Sequence, residues 1–323
     1  MHIQLISPAK IDSRNGNRTT AVRWRNILQS LGHRVSVAQQ YSDENVDLML
    51  ALHAWRSADS IQLFAERHPT RPLLIALTGT DVYRFLHTHK QQTLKSISYA
   101  DRLIGLHAHI THSLPQQYHH KARIIYQSTE TKPIRKTRHN HVFDVCIAGH
   151  LRDEKDSLRP AYAIRSLPSS SRIQISHFGK AHTQEWEHNA KLEMAKNRRY
   201  QWHGEISQSL LQLKFSQADL LILPSRMEGG ANVISEAIVA GLPIISSDIE
   251  GSVGLLGKKY SGYFEVENTK QIKKLLLRCE SDIKFYQTLI QQCKSRRYLF
   301  NPSVEKSSWS KLLAEFPTAH LIK

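Results

Sequence analysis

Residues 219–251 read DLLILPSRMEGGANVISEAIVAGLPIISSDIEG, and the order of patterns inside them decides the fold. An apolar run, DLLILP (219–224), closes on a proline, which cannot donate to a strand ladder. A polar loop follows from Ser225 to Gly230, then a helical pattern over 231–240, then a second apolar run, LPIISS (242–247). Short, nearly continuous apolar runs suit strands buried on both faces of a parallel sheet, and parallel neighbours need a crossover, usually a helix. The stretch is therefore one strand–loop–helix–strand unit.

Outward from this unit the same alternation repeats. Upstream in the same half lie VFDVCIA (142–148), RIQISHF (172–178) and a short strand near Tyr200 to His203, with helices expected at 157–166, 184–196 and 207–217. The N-terminal half gives a second series: HIQLIS (2–7), RVSVA (34–38), DLMLAL (47–52), LLIAL (73–77), RLIGL (102–106) and RIIYQ (123–127). A polar turn from Asn15 to Arg18 precedes a helix running to Leu31, which Gly32 is placed to end in a left-handed conformation. Another helix fits from Ser57 to Arg67. STETKPIRKTRHNH (128–141) breaks the pattern and reads as a linker, being polar, basic and proline-containing. Expected are two Rossmann-like, doubly wound α/β domains, 1–135 and 136–300, facing across a cleft. A helix over 301–323, with Trp309, Leu312, Leu313 and Phe316 at helical spacing, would return across the interdomain seam toward the first domain.

Composition narrows the function classes. The 323 residues are 40% apolar, enough for two cores. No run approaches the roughly 18 apolar residues of a membrane span, and the N-terminus lacks the pattern of an export signal, so a cytoplasmic protein with no integral membrane segment is expected. Cys146, Cys279 and Cys293 form no CxxC pair, which speaks against zinc or a disulfide framework. The 19 histidines show no ligand spacing, and no metal is expected. A formal net charge of +16 suits an anionic partner (nucleic acid, a membrane surface or a phosphorylated small molecule) and equally a generally cationic surface; the basic residues are scattered and match no nucleic-acid module, so no nucleic-acid partner is expected.

Open parallel sheets bind ligands at the carboxyl ends of their strands. There, Gly229 and Gly230 let backbone approach a ligand closely, and a helix starting near Ala231 aims free N–H groups at it, as phosphate requires. Glu228 in the loop and Glu236 in the helix's second turn can accept hydrogen bonds from vicinal hydroxyls. Taken singly, each acid has a simpler explanation as a dipole-compensating or solvated helix residue; the whole unit does not. In the N-terminal half three polar loops stand at strand ends. RNGNRTTAVRW (14–24) offers Asn15, Gly16 and Asn17 in a polar loop ahead of a helix whose first turn carries Arg18, Thr19 and Thr20. LHAWRS (52–57) offers His53 and Arg56, and LTGTD (77–81) offers Thr78, Gly79, Thr80 and Asp81. Together they suggest an anionic acceptor.

The 225–251 unit resembles the nucleotide-sugar signature of the group 1 glycosyltransferases, a GT-B family. The resemblance implies that Glu228 faces the donor sugar and Glu236 holds the ribose hydroxyls. Gly229, Gly230, Ala231, Asn232 and Val233 would then cradle the diphosphate. GHLRDEKD (149–156) is similar to the family's GRL…EKG pattern, whose basic pair grips the departing diphosphate. Gly149 and Lys155 match it, His150 stands where arginine is usual, and Arg152 would replace that charge. RRYQWHGEI (198–206) resembles the segment meeting the nucleobase, with Gly204 at its loop. GNRTTAVRW, LALHAWRS, ALTGTD and GHLR together resemble a narrower branch, the selenosugar synthases of selenoneine biosynthesis. That likeness implies transfer from UDP-N-acetylglucosamine or UDP-glucose to selenophosphate, without cofactor or metal. Arg18, Asn17 and His53 would position the acceptor, and His53 would serve as base if one is needed. A conventional family member acting on a lipid-linked or saccharide acceptor is the alternative; it would call for an amphipathic docking helix, for which His107 to Tyr118 is the one candidate segment.

Overall fold

A computed structural model describes residues 1–9, 16–130 and 141–316. Most of the expected linker, the boundary after residue 135, and Asn15 lie outside the described residues. The chain divides into two compact units. The first gathers Met1–Ser128, Glu228–Asn232 and Leu299–Lys323, and the second Thr129–Met227 and Val233–Tyr298.

The first unit is built on β1 (His2–Ile6), β2 (Arg34–Ala38), β3 (Leu48–Leu52), β4 (Leu73–Leu77), β5 (Arg102–Gly105) and β6 (Ala122–Ile124). All pairings are parallel, in the order β2-β1-β3-β4-β5-β6. Every residue of β3 and β4 is buried, as the runs LMLAL and LLIAL require. Side chains alternate between faces. Leu48, Leu50 and Leu52 join one cluster with Trp24 and Leu28 of α1 (Gly16–Ser30), and Met49 and Ala51 join the other. That second cluster takes Ile61 and Phe64 from α2 (Ala58–Arg67), Leu86 from the short α3 (Leu86–Thr88) and Ile97 from α4 (Lys90–Tyr99).

Gly32, at φ +88°, ends α1 as its sequence position suggests. Its N–H reaches the Gln29 carbonyl at 2.9 Å and that of His33 reaches Leu28 at 3.2 Å, the two bonds of a Schellman motif. The start of α1 differs from expectation: Gly16, Asn17 and Arg18 already lie in the helix rather than in a turn before it. A π-helix at Asp81–Phe85, following β4, had no sequence signal. His107 to Tyr118 does not form an amphipathic helix; it folds into 3₁₀ turns at Ile110–Ser113 and Gln116–Lys121.

The C-terminal helix, Pro302–Leu313, packs on α1. Trp309 is fully buried and meets Trp24 edge-on at 4.9 Å. Glu305 is equally buried: it accepts the Trp24 indole N–H at 2.8 Å, and the Ser128 N–H and hydroxyl at 2.7 and 2.5 Å.

The second unit holds β7 (Phe143–Ala148), β8 (Ile173–Phe178), β9 (Tyr200–Trp202), β10 (Leu220–Leu223), β11 (Ile244–Ser247) and β12 (Tyr263–Phe264), again all parallel. Their order is β12-β11-β10-β7-β8-β9. Between them run α5 (Arg159–Ile164), α6 (Gln184–Lys196), α7 (Gln208–Gln217), α8 (Asn232–Ala240) and α9 (Glu250–Leu256), and after β12 come α10 (Thr269–Ser281) and α11 (Ile283–Arg296). Counted one to six along the chain, this is the Rossmann order, in which the strand direction of travel reverses between the first and fourth strands. Here those are β7 and β10. Cys146, Cys279 and Cys293 are buried and free. Among the described residues no helix is long and apolar enough to cross a membrane.

Candidate functional site

The reversal between β7 and β10 opens a crevice at their carboxyl ends, where ligands of such sheets bind. The loops that leave those two ends are Gly149–Asp156 and Pro224–Gly230. A backbone bond joins them, Arg226 N–H to the Glu154 carbonyl at 2.9 Å, and the Arg226 guanidinium donates to the Asp153 carbonyl at 3.1 Å.

Gly149 is held from two sides. Its N–H donates to the Phe178 carbonyl at 2.9 Å, and its carbonyl accepts from His177 Nε2 at 2.8 Å. A carbonyl only accepts, so the ring proton of His177 is on Nε2, and Nδ1 accepts from the Tyr200 hydroxyl at 2.7 Å. His177 is fully buried, and burial lowers its pKa to about 4. A Cβ at Gly179 would overlap the Gly149 carbonyl, so only glycine lets the ends of β7 and β8 lie this close. The Gly179 N–H in turn donates to the Gly204 carbonyl at 2.7 Å, which ties Gly204 to the same rim.

His150 accepts the Lys180 N–H on Nδ1 at 3.0 Å, and its ring lies 5.2 Å from that of His182. Burial, then His182 and Arg152, lower its pKa to about 4. Arg152 is half-buried, with Glu154 3.8 Å from its Nε. Lys155 ends the 3₁₀ turn Asp153–Lys155, and the left-handed Asp156 after it accepts Arg159 at 2.8 Å.

On the β10 side, Ala231 is buried and α8 begins at Asn232, with Val233 half-buried in its first turn. Glu236 is only 7% exposed, which rules out a solvated helix residue, and it accepts from Gln208 Nε2 at 2.8 Å. Glu228 is half-buried. The segment Glu228–Asn232 groups with the first unit. There, a Cβ on Gly229 would overlap the Thr78–Gly79 backbone and one on Gly230 would overlap Leu106, so both glycines have a packing reason as well as the ligand reason read from sequence. Asn232 accepts from Arg23 at 3.0 Å.

In the first unit, Thr78, Gly79, Thr80, Asp81 and His53 come together around one carboxylate. Asp81, fully buried, accepts the N–H groups of Thr78 (3.0 Å), Gly79 (2.8 Å), Val82 (3.1 Å) and Ala54 (3.1 Å). It organises the loops after β3 and β4, and so it does not face a ligand as the sequence suggests. Gly79, at φ +118°, adopts a conformation costly for any other residue. His53 also departs from expectation. It is 2% exposed; Nδ1 accepts the Arg56 N–H at 3.1 Å, so Nε2–H donates to Thr80 Oγ1 at 2.9 Å. With its basic nitrogen occupied and its pKa lowered by burial, it is not placed as a base. Its partner Thr80 keeps a hydroxyl proton to donate. Arg56 is exposed, Arg18 half-buried in the first turn of α1, and the Thr20 hydroxyl accepts from Gln127 at 2.6 Å.

Sequence reasoning missed His177, Gly179, Gln208 and Arg226. A glycine directly after β8, and a polar residue at the start of α7, are the signals that point to two of them.

Residues 130–296 match the family described as "Glycosyl transferases group 1". The chain belongs to that family. It is thus a glycosyltransferase of the nucleotide-sugar-dependent kind, and its fold is GT-B. Among similar solved structures, sucrose-phosphate synthase from Thermosynechococcus elongatus has a TM-score of 0.80 at 16% identity, covering 98% of this chain and 99% of that one. Anabaena HepE in complex with UDP and glucose gives 0.76 at 14%, covering 98% and 99%. A glycosyltransferase from Rickettsia africae gives 0.75 at 14%, covering 97% and 98%. At these identities the likeness is one of fold. No curated protein sequence matches the chain.

Proposed function

We propose that this glycosyltransferase joins UDP-N-acetylglucosamine or UDP-glucose to selenophosphate, giving a 1-seleno sugar. The observation that carries the donor half is the placement of two distinctive loops at one switch point. The β7 loop carries Gly149, His150, Arg152 and Lys155, and the β10 loop carries Glu228 and leads into α8 with its buried Glu236. Arg152 and Lys155 would neutralise charge as the diphosphate departs, electrostatic assistance of a kind that is worth about a thousandfold in rate. Glu236, fixed by Gln208, would accept from the ribose hydroxyls, and Glu228 would meet the sugar. The HepE complex with UDP-glucose agrees with such a donor.

The acceptor half rests on the resemblance in the first-unit loops and on their chemistry. Arg18, Arg56 and the Thr80 hydroxyl, the last oriented by His53, are donors suited to a small oxyanion. Selenium attacks the anomeric carbon while the bond to UDP breaks and its electron pair leaves with the diphosphate. Water then cleaves the phosphorus–selenium bond, releasing phosphate and the selenol. Selenium is nucleophilic enough to need no base, which accords with the engaged ring of His53. The reaction needs no metal in this reading, since protein cations meet the diphosphate.

The test is incubation with selenophosphate and a panel of UDP-sugars, following UDP release and a selenium-containing product by mass spectrometry, with and without chelator. The expected result is chelator-insensitive turnover with selenophosphate. Turnover with a saccharide or lipid acceptor, and none with selenophosphate, overturns the assignment of acceptor.

A further inference from the structure

The loops after β7 and β10 are joined by more than the backbone bond from the Arg226 N–H to the Glu154 carbonyl. The Arg226 guanidinium reaches three partners. Nη1 donates to the Asp153 carbonyl at 3.1 Å, Nη2 meets Glu267 Oε1 at 2.5 Å, and Asp156 Oδ1 lies 3.9 Å from the same nitrogen. Arg159, in the first turn of α5, completes the set: its Nε donates to Asp156 at 2.8 Å and its Nη2 to Glu267 at 3.4 Å. Two arginines thus face two acids, so the group balances its own charge. Both acids stand in left-handed backbone, Asp156 at φ +44° and Glu267 at φ +64°. Among the described residues of the second unit they are the only non-glycine residues with positive φ, a conformation that persists where surrounding bonds over-determine it. The base of the β10 loop is fixed as well. The buried Ser247 hydroxyl, at the end of β11, donates to the Ser225 carbonyl at 2.5 Å, one residue before Arg226.

These bonds converge on one turn. Asp153 and Glu154 give their carbonyls to Arg226, Asp156 is gripped by Arg159, and Lys155 lies between them. A fixed cation stabilises a departing diphosphate only from the right place, and a shift of about 1 Å can cost about a hundredfold in rate. Exposed ion pairs are individually worth little, and Arg226 and Glu267 are both partly exposed, so the network acts on placement more than on overall stability. We propose that Arg226 is a positioning residue of the donor site: it sets the place of Lys155 by bonding the carbonyls of the two residues before it and by tying that turn to Glu267 beyond β12. This rests on the reading that the β7 loop holds the diphosphate of a nucleotide sugar. The Arg226 guanidinium is engaged by its protein partners and acts through Lys155. A lysine in its place would keep the charge but lose the rigid, two-ended fork.

The experiment is a double-mutant cycle between Arg226→Met and Lys155→Met in the full chain, read as calorimetric affinity for UDP-glucose and for UDP-N-acetylglucosamine. Lys155→Met is expected to weaken binding about tenfold; Arg226→Met should weaken it about fivefold alone and not at all once Lys155 is gone. Arg226→Lys and Glu267→Gln, which keep part of the network, should each lose about twofold. All three network variants should unfold thermally close to the wild type. An equal loss from Arg226→Met in both backgrounds means that it acts independently of Lys155 and overturns the proposal, as does unchanged affinity in Arg226→Met alone. Losses of affinity that follow losses of thermal midpoint across the three variants overturn it in favour of plain stability. If Lys155→Met binds as tightly as the wild type, or the wild type binds neither sugar nucleotide, the donor reading itself falls.

Discussion

Glu236 is a carboxylate inside a helix that is buried at nearly every position, and the neutral side chain of Gln208 donates to one of its oxygens at 2.8 Å. Removing that donor leaves a buried acceptor short of a partner, a cost of about 1–3 kcal/mol. We expect Gln208→Leu to weaken UDP-glucose binding by about tenfold, equivalent to about 1.4 kcal/mol, and Glu236→Ala to weaken it further, both measured by calorimetry. Unchanged affinity in Glu236→Ala would remove it from the donor site. Glu236 stands out in the sequence because it holds a fixed place in a recurring unit. Gln208 does not, because residues 208 and 236 meet only once α7 and α8 are packed. His53 shows the opposite failure. Its residue type and strand-end position suggested a base, but two hydrogen bonds, which no sequence displays, turn its ring inward as a support for Thr80.

The elements themselves were largely readable, since parallel strands buried on both faces leave continuous apolar runs. β3, β4 and β10 coincide with such runs, while β7, β8 and β11 were readable from mixed runs in which apolar residues still dominate or alternate. What escaped was the two-residue β12, the glycine-bearing α9, the π-helix Asp81–Phe85, and the two longer helices α10 and α11, which lie beyond the last strand read from the sequence. How closely strand ends approach one another also lies beyond periodicity. Gly179 meets Gly149 where a methyl group would overlap a carbonyl oxygen. Gly179→Ala should therefore push the β7 loop away and abolish detectable UDP-glucose binding while the far-UV circular dichroism stays native; retained affinity would mean that the loop has slack. On the C-terminal helix, Glu305 shares a face with Trp309, Leu312 and Leu313, so helical spacing alone announces its burial. Glu305→Ala strands the Trp24 N–H and the Ser128 N–H and hydroxyl. A loss of about 3 kcal/mol follows from such unpaired groups. Glu305→Gln keeps one acceptor and should lose less, and thermal unfolding of the two variants decides it.

For the molecule as a whole, the two sheets differ in strand order although their sequences share one alternating plan. Periodicity fixes the elements and leaves their neighbours open; the order is set by which crossovers pack. The histidines act at the same scale. His177 is fully buried with a pKa of about 4, and His107, buried against Tyr83 with its Nδ1 accepting the His109 N–H at 3.2 Å, is lowered to about 4 chiefly by burial. The ordinary value for both is 6.5. Between pH 6.5 and 4 the unfolded chain therefore binds more protons than the folded one, and stability must fall as pH falls through that window. The full contribution is present above about pH 6.5, and each ring takes away on the order of 3 kcal/mol by about pH 4. The net charge of +16 gives the compact state no electrostatic reserve against this change. Urea midpoints recorded from pH 7.5 to pH 4 at constant ionic strength should be level above about pH 6.5 and drop steeply below it. His177→Gln, which cannot be charged, should start lower but lose less over the same window. A wild-type midpoint that holds constant down to pH 4.5 would show that these rings find water, or a counter-charge, on protonation.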